Sequence, residues 1–154
     1  MKLSILLQYV APKKAITQLA GILANKQCGY LTTSVINWFV QRYQVDMSEA
    51  EHSDTSSYRT FNAFFTRALK VGARPISNAD FICPVDGAIS QLGVINIDQI
   101  FQAKGHAYTT TELLAGNTEL SGKFSDGSFV CLYLSPKDYH RIHMPCDGKL
   151  ISMI

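Results

Sequence analysis

The densest group of chemically reactive side chains lies in residues 133–148, YLSPKDYHRIHMPCDG. The group comprises two histidines, one cysteine and two aspartates: His140, His143, Cys146, Asp138 and Asp147. Imidazole exchanges protons near neutral pH, so either histidine could act as a general base toward a nucleophile or a carbon acid. The spacing alone therefore predicts proton-transfer chemistry in this segment.

Two other interpretations of the same residues stay open. His140, His143 and Cys146 could hold a metal ion, although their spacing matches no common zinc motif and Pro145 interrupts any helix that would align them. Alternatively, a histidine could have a purely structural role, with its ring hydrogen-bonded to a backbone carbonyl.

A second candidate group is Asp86, in the segment CPVDGAIS at residues 83–90. By itself, Asp followed by Gly indicates only a hairpin turn. If the fold brought Asp86 to His143, however, the carboxylate would orient the imidazole and stabilise its charged form, as the acid does in a nucleophile–base–acid triad.

Composition predicts a folded chain around these residues. Of the 154 residues, 47% are hydrophobic and 17% are charged, which is typical of about one globular domain rather than a disordered protein. The net charge of +2 does not favour nucleic-acid binding. We expect an α+β protein, with N-terminal amphipathic helices followed by an incomplete, mostly antiparallel β-rich catalytic body. The four cysteines are expected to be reduced and mostly buried.

Charge is unevenly distributed along the chain. Residues 1–45 contain five basic and no acidic residues, whereas residues 46–154 contain nine basic and twelve acidic ones. Apolar residues at helical spacing predict three helices in this leader, on Leu3–Val10, on Ile16–Leu23, and from an N-cap at Thr32, Thr33 or Ser34 through Tyr43. A basic amphipathic leader favours an anionic phospholipid surface.

The leader is expected to lie on the membrane rather than cross it. Its longest uncharged run, residues 27–41, has 15 residues and includes polar ones, whereas a span needs about 20 mostly apolar residues. No secretory signal is evident, so the expected location is the cytoplasmic face of the cell membrane, as a peripheral protein.

The remaining segments follow from their turn and strand patterns. We predict a helical membrane-associating segment at 1–45, a polar linker at 46–58 and a catalytic body at 59–154. Thr60 is expected to cap a short helix whose three phenylalanines pack as core. Strands are predicted at Ala88–Val94, Ser128–Leu134 and the terminal run Lys149–Ile154, and a helix is predicted from Thr110 or Thr111 to about Gly116.

Taken together, five motifs resemble the bacterial phosphatidylserine decarboxylase family. They are YRTFNAFFTR (58–67), ARPI (73–76), CPVDGAISQLG (83–93), IFQAKGHAYTTTELLAG (100–116) and YLSPKDYHRIHMPCDG (133–148), in the order and spacing of the family. The resemblance implies conversion of phosphatidylserine to phosphatidylethanolamine and CO₂. It also implies a protein-derived pyruvoyl group, which forms a Schiff base with the substrate amine and acts as the electron sink.

The resemblance also implies roles for individual residues. Asp86 and His143 match the acid and the base of the self-cleavage triad, and His140 matches a histidine near the substrate carboxylate. The serine that forms the pyruvoyl group lies in a Leu-Gly-Ser-Thr type motif, which these 154 residues do not contain, and Ser90 is no substitute because no glycine precedes it. We therefore expect the N-terminal part of a precursor, equivalent to much of the β subunit and inactive alone.

The expected partners are phosphatidylserine, an anionic phospholipid membrane and the missing C-terminal part, or α subunit; a homodimer is left open. A different class of function also remains. The chain could be a non-catalytic module that binds anionic lipid through its basic leader.

Overall fold

The structure is a computed structural model that describes residues 12–102, 106–151 and 153. The chain divides into two compact units, Met1–Pro75 and Ile76–Ile154. The described residues of the first unit form three helices and a 3₁₀ turn: α1 (Lys13–Ala24), α2 (Tyr30–Tyr43), Thr55–Ser57 and α3 (Phe61–Phe65). Those of the second unit form four strands and two short helices: β1 (Ala88–Val94), β2 (Gln99–Gln102), β3 (His106–Thr109), α4 (Thr110–Leu113), α5 (Thr118–Gly122) and β4 (Ser128–Tyr133). The α+β prediction is confirmed.

Helix α1 is amphipathic in sequence, but none of its residues is buried. Ile16, Leu19 and Leu23 are each more than half exposed, which leaves the predicted apolar stripe facing solvent. The helix predicted on Leu3–Val10 lies outside the described residues. Within the described part of the chain, no helix is both long and apolar enough to span a bilayer.

Helix α2 supplies one wall of the core of the first unit. Ile36 is fully buried, and the predicted stripe continues with Phe39, Val40 and Tyr43, which pack against the core cluster. The position of the cap was predicted wrongly. The helix begins earlier, at Tyr30, because Gly29 (φ 54°) adopts a backbone conformation that glycine takes readily.

Helix α3 confirms the predicted cap and the predicted aromatic packing. The Thr60 hydroxyl accepts a hydrogen bond from the Ala63 N–H at 3.0 Å. The aromatic ring of Phe39 on α2 contacts all three phenylalanines of α3, at centroid distances of 5.1, 5.8 and 6.1 Å from Phe61, Phe64 and Phe65. Edge-to-face packing of this kind adds to the free energy gained by burial.

The polar segment 46–58 packs within the first unit. Its residues 49 and 51 form antiparallel backbone hydrogen bonds with residues 70 and 68, both at 2.9 Å, and Ala50 between them is fully buried. Tyr58 donates its hydroxyl to the His52 carbonyl at 2.7 Å, and burial raises the pKa of the Tyr58 phenol. The functional boundaries predicted at residues 45 and 58 stay predictions.

The second unit contains two antiparallel strand pairs, β1 with β4 and β2 with β3. Strands β1 and β4 confirm the sequence prediction. Their register shifts between Ile89 and Gln91, which leaves Ser90 as an extra residue in a β-bulge. The Ser90 hydroxyl donates to the Cys131 carbonyl at 3.1 Å.

The segment between β1 and β4 is only partly as predicted. Helix α4 starts at Thr110 as expected; Thr109 caps it through a capping box with Glu112, and Gly116 follows at φ 86°. The β2–β3 pair and helix α5, which Asn117 caps, were not predicted. Lys104-Gly105, a pair that predicts a loop, lies outside the described residues.

Two further expectations are wrong. Lys149, Leu150, Ile151 and Met153 form no strand, because no neighbouring strand pairs with their backbone among the described residues, and all four are exposed. The cysteines are free, but three of them, Cys28, Cys83 and Cys146, are exposed, and Cys131 is half-buried. They lie in turns, loops and strand positions that no layer of the fold covers.

Candidate active site

A tight turn, from Ser135 to Asp138, directly precedes the segment that contains the two histidines. The Asp138 carboxylate accepts the Ser135 N–H at 2.6 Å, and the Asp138 N–H donates to the Ser135 carbonyl at 3.0 Å. Proline at the second position, here Pro136, suits such a turn because its φ angle is already fixed. The carboxylate of Asp138 therefore shapes the backbone that precedes the histidines.

His143 is held by a residue that the sequence prediction missed. The Tyr139 hydroxyl lies 3.0 Å from His143 Nε2. The two rings also stack, with centroids 5.5 Å apart and planes 26° apart. Tyr139 is buried, with 8% of its surface exposed, whereas His143 is exposed. A fixed phenol therefore orients an imidazole that solvent and other molecules can reach.

His140 has a different environment. Its Nδ1 lies 2.8 Å from the Asp138 carbonyl oxygen, which fixes Nδ1 as the protonated donor if the ring is neutral. The side chain is half-buried. This contact is the backbone-carbonyl pairing expected of a histidine with a structural role.

The segment before Asp86 runs antiparallel to the segment that contains His143. The Ile82 N–H donates to the Pro145 carbonyl at 2.8 Å, and the His143 N–H donates to the Pro84 carbonyl at 2.9 Å. In an antiparallel ladder, each of these opposite pairs would exchange two hydrogen bonds. Only one forms in each because Pro84 and Pro145 have no N–H to donate.

This pairing brings the Asp86 turn to the histidine segment. Asp86 is half-buried and lies two residues beyond Pro84, the residue bonded to His143. The next residue, Gly87, packs so closely on the end of β4 that a Cβ atom there would lie 2.8 Å from the Tyr133 carbonyl oxygen. Only glycine fits at this point, so the backbone that carries Asp86 is held between β4 and residues 143–145.

The arrangement suits proton transfer better than metal binding. Asp86 contributes a half-buried carboxylate. The His143 imidazole is stacked on the buried Tyr139 phenol, and the His140 imidazole is bonded to a backbone carbonyl. In the described ranges, no three His, Cys, Asp or Glu side chains are grouped as a metal site would require. The alternative site of His140, His143 and Cys146 is therefore not formed there.

Comparison with known families agrees with the motif pattern. The model of the phosphatidylserine decarboxylase family matches residues 61–154, and a second model, described as PSD, matches residues 3–44. Similar proteins are each named phosphatidylserine decarboxylase proenzyme.

Three of these relatives illustrate the degree of similarity. The chain is 63% identical to the protein from Dechloromonas aromatica over 153 residues, 61% identical to that from Azoarcus sp. over 153 residues, and 61% identical to that from Methylobacillus flagellatus over 150 residues. The matches cover 97–99% of this chain but only 53–54% of each relative. The chain belongs to the phosphatidylserine decarboxylase family and spans about half the length of the curated relatives that it matches.

Proposed function

We propose that these 154 residues supply the acid and the bases of a phosphatidylserine decarboxylase, which removes the carboxylate of the serine headgroup to give phosphatidylethanolamine and CO₂. The observation that carries the proposal is the hydrogen bond from the His143 N–H to the Pro84 carbonyl at 2.9 Å. It joins two segments that lie far apart in sequence, one with the candidate base and the other with the candidate acid, Asp86.

In the proposed self-cleavage step, His143 accepts the hydroxyl proton of a serine that lies outside these residues. Asp86 orients the imidazole and stabilises its positive charge. The stacked Tyr139 ring restricts His143 to one orientation, which supports a role as a positioned base rather than a freely rotating surface histidine.

The cofactor of the proposed enzyme is a pyruvoyl group made from that serine. Such a carbonyl supplies an electron sink for decarboxylation. The residues present fit this chemistry, because a fixed, half-buried imidazole at His140 can bind the substrate carboxylate or return a proton to the reacting carbon.

The test uses a chimera in which this chain is completed with the part of the Dechloromonas aromatica proenzyme outside the match. We expect the chimera to cleave itself and to decarboxylate phosphatidylserine in detergent micelles. Asp86→Asn and His143→Ala should leave uncleaved precursor, whereas His140→Ala should be cleaved but lose decarboxylation. The exposed residues Asp80 and His52 provide matched controls, Asp80→Asn and His52→Ala. Normal processing of the Asp86 and His143 variants would refute their assigned roles.

We further propose that the leader docks on anionic phospholipid at the cytoplasmic face of the membrane. Three features support this. Helix α1 buries none of its residues, and Ile16, Leu19 and Leu23 are 53–58% exposed. Lysines flank the helix, at Lys13 and Lys26 among others, and residues 1–45 contain no acid. An exposed apolar face beside basic residues is typical of an interfacial helix.

Helix α2 also exposes apolar residues, Leu31, Val35 and Trp38, which are 50–68% exposed. Trp suits the headgroup region because its ring is amphipathic. Flotation with vesicles containing phosphatidylglycerol should recover the chain at low salt and less at high salt, and recovery with neutral vesicles should be weak. Leu19→Ser should reduce recovery, and Thr17→Ser is its control on the same helix. Equal recovery with both vesicle types would refute the electrostatic contribution.

The second candidate function, a non-catalytic lipid-binding module, rests on the same exposed α1 and makes a different prediction. Vesicle binding would then persist in the chimera without decarboxylation or self-cleavage. A chimera that processes itself and releases CO₂ would refute the hypothesis of a non-catalytic module.

A further inference from the structure

One face of the β1/β4 sheet is apolar and open to solvent. Four aliphatic residues on this face are each more than half exposed: Ile89 61%, Leu92 64%, Val94 56% and Val130 53%. Leu92 lies directly opposite Val130 in the register, so their side chains lie on the same face. Neither strand contains a charged residue.

The β-bulge is what makes this face continuously apolar. Ile89 and Leu92 are three residues apart, and in a regular strand they would point to opposite faces. Because Ser90 is inserted without a partner, Ile89 pairs with Leu132 and Leu92 pairs with Val130. Leu132 and Val130 are two residues apart on β4, so Ile89 and Leu92 share their face. A bulge that gathers aliphatic side chains on an open face indicates a surface that something covers.

The sheet that carries this face is small. In the described residues, β1 and β4 form a sheet of two strands. A two-stranded sheet gains stability from a layer packed on its apolar face. A segment that covered the four aliphatic residues would therefore stabilise the sheet.

We propose that this face is the docking surface for an apolar segment from the half of the family's chain that lies outside these 154 residues. The argument rests on length: the relatives are matched over only 53–54% of their own residues, so nearly half of each proenzyme is free to supply that segment. The inference depends on the proposed function, because the cover belongs to the same proenzyme.

Charge and area favour this occupant over two others. Acids lie at both strand starts, Asp86 before β1 and Asp126 before β4, whereas a face that binds anionic lipid carries flanking basic residues. A second copy of the chain would need about 800 Å² on each partner for a stable interface, more than four aliphatic side chains present. A segment of the same polypeptide needs much less area because its effective concentration is high.

The first test compares side-chain footprinting by carbene labelling in the 154-residue chain and in the chimera. Labelling of Leu92, Val94 and Val130 should fall about tenfold or more in the chimera, as expected for core burial, whereas fully exposed Val71 (106% exposed) should label equally in both. Unchanged labelling of the three sheet residues would overturn the proposal. Protection that is already present in the 154-residue chain would also overturn it, and a dependence on protein concentration would show that a second copy covers the face. Protection that appears only when vesicles are added would overturn it as well, because lipid would then cover the face.

The second test uses a charge on the face. Val130→Lys should leave the stability of the 154-residue chain nearly unchanged, because the side chain is exposed there. In the chimera it should lower the melting temperature by roughly 5 °C or more, because the charge would be buried. Tyr133→Lys is the matched control: Tyr133 lies on the other face of β4 and is 57% exposed. Equal effects of Val130→Lys in both proteins would overturn the proposal.

Decarboxylation by the chimera is measured separately, so the two proposals can fail independently. A protected face in an inactive chimera supports docking and counts against the function. An active chimera whose face stays exposed supports the function and overturns docking.

Discussion

Gly87→Ala is predicted to destabilise the second unit and to displace Asp86. The new Cβ atom would lie 2.8 Å from the Tyr133 carbonyl oxygen, and ordinary contact begins at 3.4 Å, so the two backbones must separate by about 0.6 Å. The obstacle is a backbone carbonyl, which cannot rotate away as a side chain would. Overpacking of this kind costs about 1–3 kcal/mol.

Amide hydrogen exchange measures this loss of stability in the strands next to Gly87. In the 154-residue chain, amides of β1 and β4 that exchange by global opening of their unit should exchange about 5–30-fold faster for a loss of 1–2 kcal/mol. The fluorescence of Trp38, the single tryptophan, reports on the first unit and should not change. In the chimera the same substitution should slow self-cleavage, because the backbone of the proposed acid moves.

The control is Gly122→Ala at the end of α5, where an added Cβ atom meets nothing within 4 Å. This change should be neutral or should stabilise by up to about 1 kcal/mol, because alanine loses less backbone entropy in a helix. Equal exchange rates in the two variants would refute the argument that Gly87 is required by close approach to β4.

Three further predictions follow from single contacts. Tyr139→Phe in the chimera keeps the ring stack but removes the hydrogen bond to His143, so self-cleavage should slow by about fivefold, in proportion to a net loss of about 1 kcal/mol; an unchanged rate would show that stacking alone positions the imidazole. Phe64→Ala should cost about 3–5 kcal/mol, seen as a lower urea midpoint by tryptophan fluorescence, because Phe64 is fully buried; a loss below 1 kcal/mol would contradict its place in the core. Burial raises the pKa of Tyr58 above its ordinary value of 10.0, so its contribution to stability is complete below pH 10 and is lost as the pH rises through the higher folded-state pKa. Unfolding measured from pH 9 to 12 should show this loss, and Tyr58→Phe should lessen it.

Local patterns predicted those elements whose cause is local. Helix α3 followed from Thr60 and the phenylalanine spacing, since the cap hydrogen bond joins residues only three apart. Strand β1 followed from a turn pair before an apolar run. The β2–β3 pair was missed because Gln99–Gln102 and His106–Thr109 show neither clear alternation nor an Asn-Gly or Asp-Gly turn between them.

The start of α2 shows how a good local rule can fail. Thr32, Thr33 and Ser34 are all favourable N-caps, but the helix begins before them. Thr32 instead accepts the Cys28 N–H at 3.1 Å, so its hydroxyl satisfies a donor before the helix. Gly29 takes the cap position because its left-handed φ lets the chain enter the helix there.

The candidate site likewise contains residues that could be selected from the sequence and contacts that could not be predicted from it. The types of Asp86, His140 and His143 were enough to select them from the sequence. Tyr139 was passed over because a tyrosine four residues before a histidine has no meaning outside a helix, and only the fold stacks the two rings. The approach of Gly87 to Tyr133 is also non-local, since 46 positions separate them.

Pro84 and Pro145 explain why strand prediction missed the pairing of the segment before Asp86 with the segment that contains His143. In the pairing of residues 82–84 with 143–145, Pro84 lies opposite His143 and Pro145 lies opposite Ile82. Each proline removes one donor, so the pairing is held by two hydrogen bonds where a regular ladder would have four. A proline in each segment argues against a strand when either is read alone. In the paired structure, the same prolines end the ladder beside His143 and free the chain to bend at once into the Asp86 turn. Continuous pairing at these positions would have extended the ladder past Pro84 and removed the bend that precedes Asp86.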